Sequence, residues 1–178
     1  MDTFIEQIVQ KKKGAKEWLI IVATVLGALI VLAAGTLFLG GIGLLLFMLA
    51  AVGAYYLITA QNREYEYSVT NGDIDIDEII GKRKRKRQVS VSGRKLECLL
   101  PYNPARAASG NFQRTLVAAP SLNESGLWYF TYQSKKNGHT LVVFRPELRV
   151  LRALHGGLQK LVQMDTDRAM REQGLSLK

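Results

Sequence analysis

The stretch REYEYSVTNGDIDIDEIIGKRKRKRQVSV, residues 63–91, decides the fold of the polar part of this chain. Apolar residues, mostly tyrosine, valine and isoleucine, alternate with polar ones on both sides of Asn71-Gly72. An Asn-Gly pair between two alternating runs is the strongest short-range signal of a β-hairpin. A second reversal at Gly81 and an extended strand from Arg83 to Val91 complete a predicted three-stranded meander.

Six consecutive basic residues, 82–87, occupy the second turn and the third predicted strand. A two-residue turn at Gly81-Lys82 predicts cross-strand charge pairs, and a turn shifted by one residue still sets carboxylates against the basic run. Such pairs contribute only ~0.2–1 kcal/mol each, so their main effect is to fix the strand register and lower the outward field. The pairs predicted by the unshifted turn are Glu78 with Arg85 and Asp77 with Lys86.

The chain before this stretch is strongly apolar. No charged residue occurs from Trp18 to Asn62, a run of 45 positions, whereas the rest of the chain carries all 24 Lys and Arg and all 15 Asp and Glu. A spanning helix needs ~20 apolar residues, so this run is long enough for two. The glycine-rich segment GTLFLGGIG, residues 35–43, predicts the reversal between helices near 18–37 and 44–60.

The flanks of this predicted hairpin set its orientation. Lysines precede the first helix, Arg63 follows the second, and the connecting loop is uncharged. The positive-inside rule therefore predicts a multi-pass protein of the cell membrane with both termini in the cytoplasm. Trp18, Tyr55 and Tyr56 suit interfacial anchors, and the scarcity of polar residues within the hairpin favours an anchor over a transporter or an intramembrane protease.

The first 16 residues, MDTFIEQIVQKKKGAK, have Thr3 followed by Glu6, a capping-box pattern, with apolar residues on one helical face. This predicts a short amphipathic helix. It either lies on the inner membrane surface or covers part of the cytoplasmic domain.

Beyond Val91 the pattern predicts further strands and a terminal helix. FQRTLVAAP reads as a strand, and residues 127–133 and 140–144 form a hairpin around Asn137-Gly138. A short helix or extended turn is predicted around 96–100. Pro146 opens a helix with a leucine stripe, which Gly156-Gly157 kinks or ends.

No catalytic or metal-binding signature is present in the sequence. Cys98 is the single cysteine and lies in an apolar run, which predicts a buried structural thiol. With only His139 and His155 besides, zinc-hydrolase and Ser-His-Asp arrangements are not indicated. We therefore expect no cofactor and no metal, and an enzyme using Cys98 or His139 is the least favoured hypothesis.

Six strands in hairpins followed by an amphipathic helix resemble the bacterial pleckstrin-homology-like fold, in which a helix plugs one end of a bent β-sandwich. YEYSVTNGDIDIDEIIGKRKRKR is similar to the opening hairpin of such membrane-attached domains, and VVFRPELRVLRAL resembles their last strand, proline and helix. The whole layout resembles a family of small, uncharacterised bacterial membrane proteins. The resemblance implies a fold and a location but no specific activity.

The expected fold is therefore an α+β membrane protein, with a transmembrane two-helix hairpin before a PH-like antiparallel β-sandwich or barrel that ends in a helix. The predicted parts are a cytoplasmic amphipathic segment at 1–16, the hairpin at 17–61, the PH-like domain at 62–155 and a helical tail at 156–178.

The sequence leaves three functions open. The first is a membrane-anchored binding or scaffold module that contacts a protein partner or anionic lipid headgroups. The second is a structural subunit that forms homo-oligomers through its hairpin, and the third is the enzyme. A nucleic-acid site is not expected because the basic run lacks interleaved aromatic residues. The basic residues that are candidates for lipid contact are Lys11, Lys12, Lys13, Lys82, Arg83, Lys84, Arg85, Lys86 and Arg87.

Overall fold

The computed structural model describes residues 4–175, apart from the side chain of Arg106. The described chain forms two compact units. The first, the β unit, contains residues up to Lys11, Glu64–Ile79 and the chain from Arg85 onward. The second, the hairpin unit, contains Lys12–Arg63 and Ile80–Lys84.

Two four-stranded sheets build the β unit. The strands of the two sheets are β1 (Phe4–Gln10), β2 (Arg63–Thr70), β3 (Asp73–Ile80), β4 (Lys84–Ser92), β5 (Leu96–Pro101), β6 (Arg114–Ala118), β7 (Trp128–Ser134) and β8 (Gly138–Phe144). The first sheet has the order β1-β2-β3-β4, and the second has the order β5-β7-β8-β6. Within residues 73–77 inward isoleucines alternate with aspartates, whereas residues 141–144 are all apolar and buried and pack in two separate clusters, one on each side of their strand.

The N-terminal segment is a strand, so the amphipathic helix predicted there is wrong. β1 pairs antiparallel with β2, from Phe4 opposite Thr70 to Gln10 opposite Glu64. Its inward face carries the polar residue Gln7, which hides the two-residue alternation in the sequence. The Gln7 amide donates to the Arg145 carbonyl at 3.0 Å and accepts from the Glu147 N–H at 2.8 Å, so its burial is compensated. The Thr3 end of the predicted capping box lies outside the described residues.

Both turns predicted in the meander are present. Asn71 and Gly72 have φ of 51° and 85°, as a type I′ turn requires. Gly81 and Lys82 have φ of 59° and 58°, and the Arg83 N–H donates to the Ile80 carbonyl at 3.1 Å. β4 resumes only at Lys84, so the second connection is one residue longer than the simplest prediction.

The second sheet is mixed, because β6 runs parallel to β8 while β5 and β8 both run antiparallel to β7. The predicted hairpin is present, but its loop is 135–137 and Gly138 takes the left-handed position at φ 66°. Residues 96–101 form β5, and not the predicted helix or turn. The intervening segment 104–109 is a short helix, α3 (Pro104–Ser109).

Helices follow the last strand, and the predicted break at Gly156-Gly157 separates two of them. These are α4 (Leu148–His155) and α5 (Lys160–Glu172). The predicted leucine stripe of α4 packs in the core, with Leu151 and Leu154 fully buried. Gly157 meets Gly72 so closely that a Cβ on either glycine would collide with the backbone of the other. The loop between the helices therefore closes on the first turn of the meander.

The hairpin unit consists of two helices, α1 (Ala15–Leu39) and α2 (Gly41–Ala60), which join at Gly40 as predicted from the glycine-rich segment. Both are long and apolar enough to cross a membrane, and almost none of their residues are buried within the protein. Gly35 faces Gly43, and a Cβ built on Gly35 would lie 3.0 Å from the Gly43 Cα. The two backbones are therefore in direct contact near the loop, as small residues permit.

The predicted fold class is confirmed. The chain is an α+β protein with two N-terminal apolar helices, two sheets and C-terminal helices. The helix pair supports membrane association.

Candidate functional site

The arginines of the basic run form an ion-pair network with carboxylates of β2 and β3. Arg87 Nε lies 2.5 Å from Asp77 Oδ1, and Arg87 Nη1 lies 2.8 Å from Asp75 Oδ2. Arg85 Nη2 lies 2.6 Å from Glu66 Oε2. We call these five residues the arginine–carboxylate network.

Two acids of the network are buried, although their sheet face is polar. The side chains of Glu66 and Asp77 are only 4% and 6% exposed, whereas those of Arg85 and Arg87 are more than half exposed. Burial raises the pKa of the Glu66 carboxyl; Arg85 lowers it, while the Glu6 and Asp77 carboxylates raise it further. The hydrogen bond that the Arg87 guanidinium donates to the Asp77 carboxylate raises the pKa of the guanidinium. The arginines therefore cover acids that would otherwise be buried without compensation.

The lysines of the same run are placed differently. Successive strand residues point to opposite faces, so Lys84 and Lys86 point away from the face of Arg85 and Arg87. Lys82, Lys84 and Lys86 are all exposed, and within residues 4–175 none of the three forms an ion pair. The alternation of Lys and Arg thus separates a paired face from a solvated one.

The turn Ile80–Lys84, which we call the basic turn, packs on the end of α2 within the hairpin unit. The Gly81 N–H donates to the Asn62 carbonyl at 2.8 Å. The Arg83 guanidinium carbon lies 4.7 Å from the ring centroid of Tyr56 and 5.4 Å from that of Tyr55, within the range of cation–π attraction. The two tyrosines that the sequence predicts as interfacial anchors therefore contact an arginine of the basic turn.

One end of the hairpin unit collects its positive charge. α1 and α2 are joined at Gly40, so the start of α1 and the end of α2 lie at the opposite end from that loop. The basic turn packs at the same end. We call this set the cationic end: Lys12, Lys13, Lys16, Arg63, Lys82, Arg83 and Lys84.

The structure divides the predicted lipid-contact residues between the two units. Lys12, Lys13 and residues 82–84 belong to the hairpin unit, and Lys11 and residues 85–87 belong to the β unit.

The predicted pair of Asp77 with Lys86 is wrong, because the longer turn brings Arg87 to Asp77. The broader prediction, that carboxylates form ion pairs with residues of the basic run, is confirmed. The ion pair between Arg85 and Glu66 was not predicted from the sequence. The alternation of Lys and Arg has the two-residue period of a strand, and it could have indicated that the arginines share one face and the lysines the other.

The residues considered for catalysis lie on the second sheet. His139 Nε2 is 2.8 Å from Glu97 Oε2, and Thr131 Oγ1 is 3.1 Å from the same oxygen. Cys98 is half-buried, and its sulfur lies 3.4 Å from Thr131 Oγ1. Burial raises the pKa of the Cys98 thiol, which favours the protonated form over a nucleophilic thiolate. Among residues 4–175, no three His, Cys, Asp or Glu side chains form a metal-binding group.

Comparisons with known proteins give one family. The family model described as Bacterial PH-like domain (DUF6106) matches residues 1–163. No curated protein and no solved structure matches the chain significantly. PH-like domains are binding or scaffold modules and are typically non-catalytic, so the match supports that general role.

Proposed function

The chain belongs to the bacterial PH-like domain family, and from this we propose that it is a membrane-anchored binding module whose cationic end contacts anionic lipid headgroups at the cytoplasmic face. The hairpin is the anchor in this proposal, multi-pass with both termini in the cytoplasm. The carrying observation is that Lys82 and Lys84, which form no ion pair within residues 4–175, lie at the same end of the hairpin unit as the lysines that precede α1.

The position of the charge supports this role. Tyr55 and Tyr56 lie one turn before the end of α2, where aromatic side chains prefer the headgroup level of a bilayer. Arg83 packs on both rings, so the basic turn lies at that level when α2 spans the membrane. Each Lys or Arg near an anionic surface gains ~1 kcal/mol.

The lysines and arginines of the basic run are not equally available to lipid headgroups. Arg85 pairs with the buried Glu66, and Arg87 pairs with the buried Asp77. If either arginine moved to a lipid phosphate, its carboxylate would lose that partner. Lys82 and Lys84 form no ion pair within the described chain. We therefore assign the main contact of the basic run to these two lysines.

Spin-labelled lipids test the proposal on the full-length chain in bilayers. A chain fragment beginning at Arg63 is unsuitable, because it lacks β1. The relative association of labelled phosphatidylglycerol and phosphatidylcholine with the protein is measured by electron paramagnetic resonance at low and high salt. The expected result is a preference for phosphatidylglycerol that salt reduces and that the double variant Lys82→Gln with Lys84→Gln lowers by up to about fivefold per lysine.

A matched double variant, Lys135→Gln with Lys136→Gln, removes the same charge from the loop between β7 and β8. It is expected to leave lipid preference unchanged. Equal association of both lipids with the wild-type chain would exclude electrostatic lipid contact by the cationic end.

The second candidate function, a subunit that oligomerises through its hairpin, rests on a separate observation. A Cβ added at Gly27 or Gly53 would meet no atom within 4 Å, so both glycines are open to another helix. The double variant Gly27→Leu with Gly53→Leu should abolish crosslinked oligomers in membranes if these positions form the interface. Unchanged crosslinking would exclude Gly27 and Gly53 as contact positions.

A further inference from the structure

A groove of about 680 Å³ runs along the outer edge of β4 in the β unit. One wall contains the consecutive residues 88–92, and the other contains 132–137 from the end of β7 and the following loop. Val89 and Val91 point into the core, whereas Ser90 points out to solvent, yet all three line the same groove. Residues from both faces of a strand line one groove only when the groove follows the edge of that strand.

This edge offers backbone hydrogen bonds. β4 is the last strand of the first sheet, and among the described strands only β3 is its neighbour. Alternate N–H and C=O groups on the other side of β4 are therefore available to an added strand. The hydrogen bond from Arg114 Nη2 to Gln88 Oε1, 3.0 Å long, marks one end of this stretch.

The charged residues that line the groove favour extended peptides of one charge. Lys95, Lys135 and Lys136 line it, and none of these lysines forms an ion pair within the described part of the chain. Asp75 also lines it but is paired with Arg87, which leaves Asp73 opposing the three lysines. The lining of the groove therefore carries a net positive charge and favours an acidic peptide.

We propose that the β4 edge groove binds an extended, acidic segment of a partner protein by strand addition. The backbone of the segment pairs with residues 88–92, and its carboxylates meet Lys95, Lys135 and Lys136. This site is separate from the lipid contact at the cationic end and does not depend on it.

Fluorescence anisotropy tests this site with the full-length chain in bilayer nanodiscs made of zwitterionic lipid. The probe is a labelled heptapeptide, Glu-Val-Glu-Val-Glu-Val-Glu, and its counterpart has Lys in place of Glu. Only the acidic peptide is expected to bind. Charge reversal by Lys135→Glu with Lys136→Glu should weaken binding at least about tenfold. The same reversal at two exposed positions of α5, Lys160→Glu with Arg168→Glu, should not.

Two further readouts separate strand addition from simple charge attraction. Methylation of alternate backbone nitrogens of the peptide, in the register that faces β4, should abolish binding, and methylation in the other register should not. Bound peptide should slow amide hydrogen exchange in residues 88–92. The proposal is overturned by absence of binding, by equal binding of both peptides, by equal tolerance of both methylation patterns, or by protection confined to another strand.

Discussion

Arg87 and Asp77 form a close ion pair in which the base is exposed and the acid is buried: the nitrogen and oxygen are 2.5 Å apart, and the side chains are 53% and 6% exposed. The neighbouring Lys86 is exposed as well, but it forms no ion pair in the described chain. Two adjacent basic residues thus have opposite roles, one structural and one available to solvent or to a ligand.

The first prediction uses this adjacency. Arg87→Gln removes the main partner of a buried carboxylate and should lower the free energy of unfolding by about 1–3 kcal/mol. Lys86→Gln removes the same charge from the next position and should change it by less than about 0.5 kcal/mol. Urea unfolding of the full-length chain in micelles, followed by near-ultraviolet circular dichroism, measures both. Equal effects of the two variants would contradict the separation of the two faces.

The second prediction concerns Glu66 and pH. Its pKa is raised in the folded chain, chiefly by burial, so its stabilising contribution is complete below the ordinary glutamate value of about 4.3 and is lost as pH rises through the higher folded value. The free energy of unfolding of the wild type, minus that of Glu66→Gln, should therefore fall as the pH rises above the ordinary glutamate pKa of about 4.3. A flat or rising difference would show that Arg85 outweighs the effect of burial.

The third prediction concerns the contact between α1 and α2. Gly43→Ala places a Cβ against the Gly35 backbone, so the helices must separate there. A solid-state NMR cross-peak between the Cα atoms of residues 35 and 43 should weaken in membranes. Gly53→Ala adds the same methyl group in open space and should leave the cross-peak intact. Retention of the peak in Gly43→Ala would contradict the close approach.

The hairpins could be predicted because their determinants are local. Asn71-Gly72 adopts positive φ at both positions, which few residue pairs other than Asn-Gly tolerate, so the turn follows from two adjacent residues. The hairpin of α1 and α2 follows similarly from a long apolar run interrupted by glycines.

β1 could not be predicted because its partner is distant in sequence. Gln10 and Glu64 are 54 positions apart, and the buried Gln7 is compensated by residues still further along the chain. Local patterning therefore favoured a helix, and long-range pairing overrode it.

The charge pairs were only partly predictable, because a one-residue change of register exchanges the two faces of a strand. The sequence shows that Lys and Arg alternate from 82 to 87. It does not show which residue meets Asp77, because the extra loop residue before Lys84 settles that choice.

The most direct test of the central claim is the distance between lysine ammonium groups and lipid phosphates. Solid-state NMR with ¹⁵N-labelled lysine measures ¹⁵N–³¹P dephasing for the full-length chain in phosphatidylglycerol bilayers. If Lys82 and Lys84 contact the headgroups, part of the lysine signal should show dephasing by phosphorus. This component should disappear in the double variant Lys82→Gln with Lys84→Gln, and it should persist in the double variant Lys135→Gln with Lys136→Gln. Identical dephasing in the wild type and the Lys82 and Lys84 double variant would contradict contact between the basic turn and the membrane.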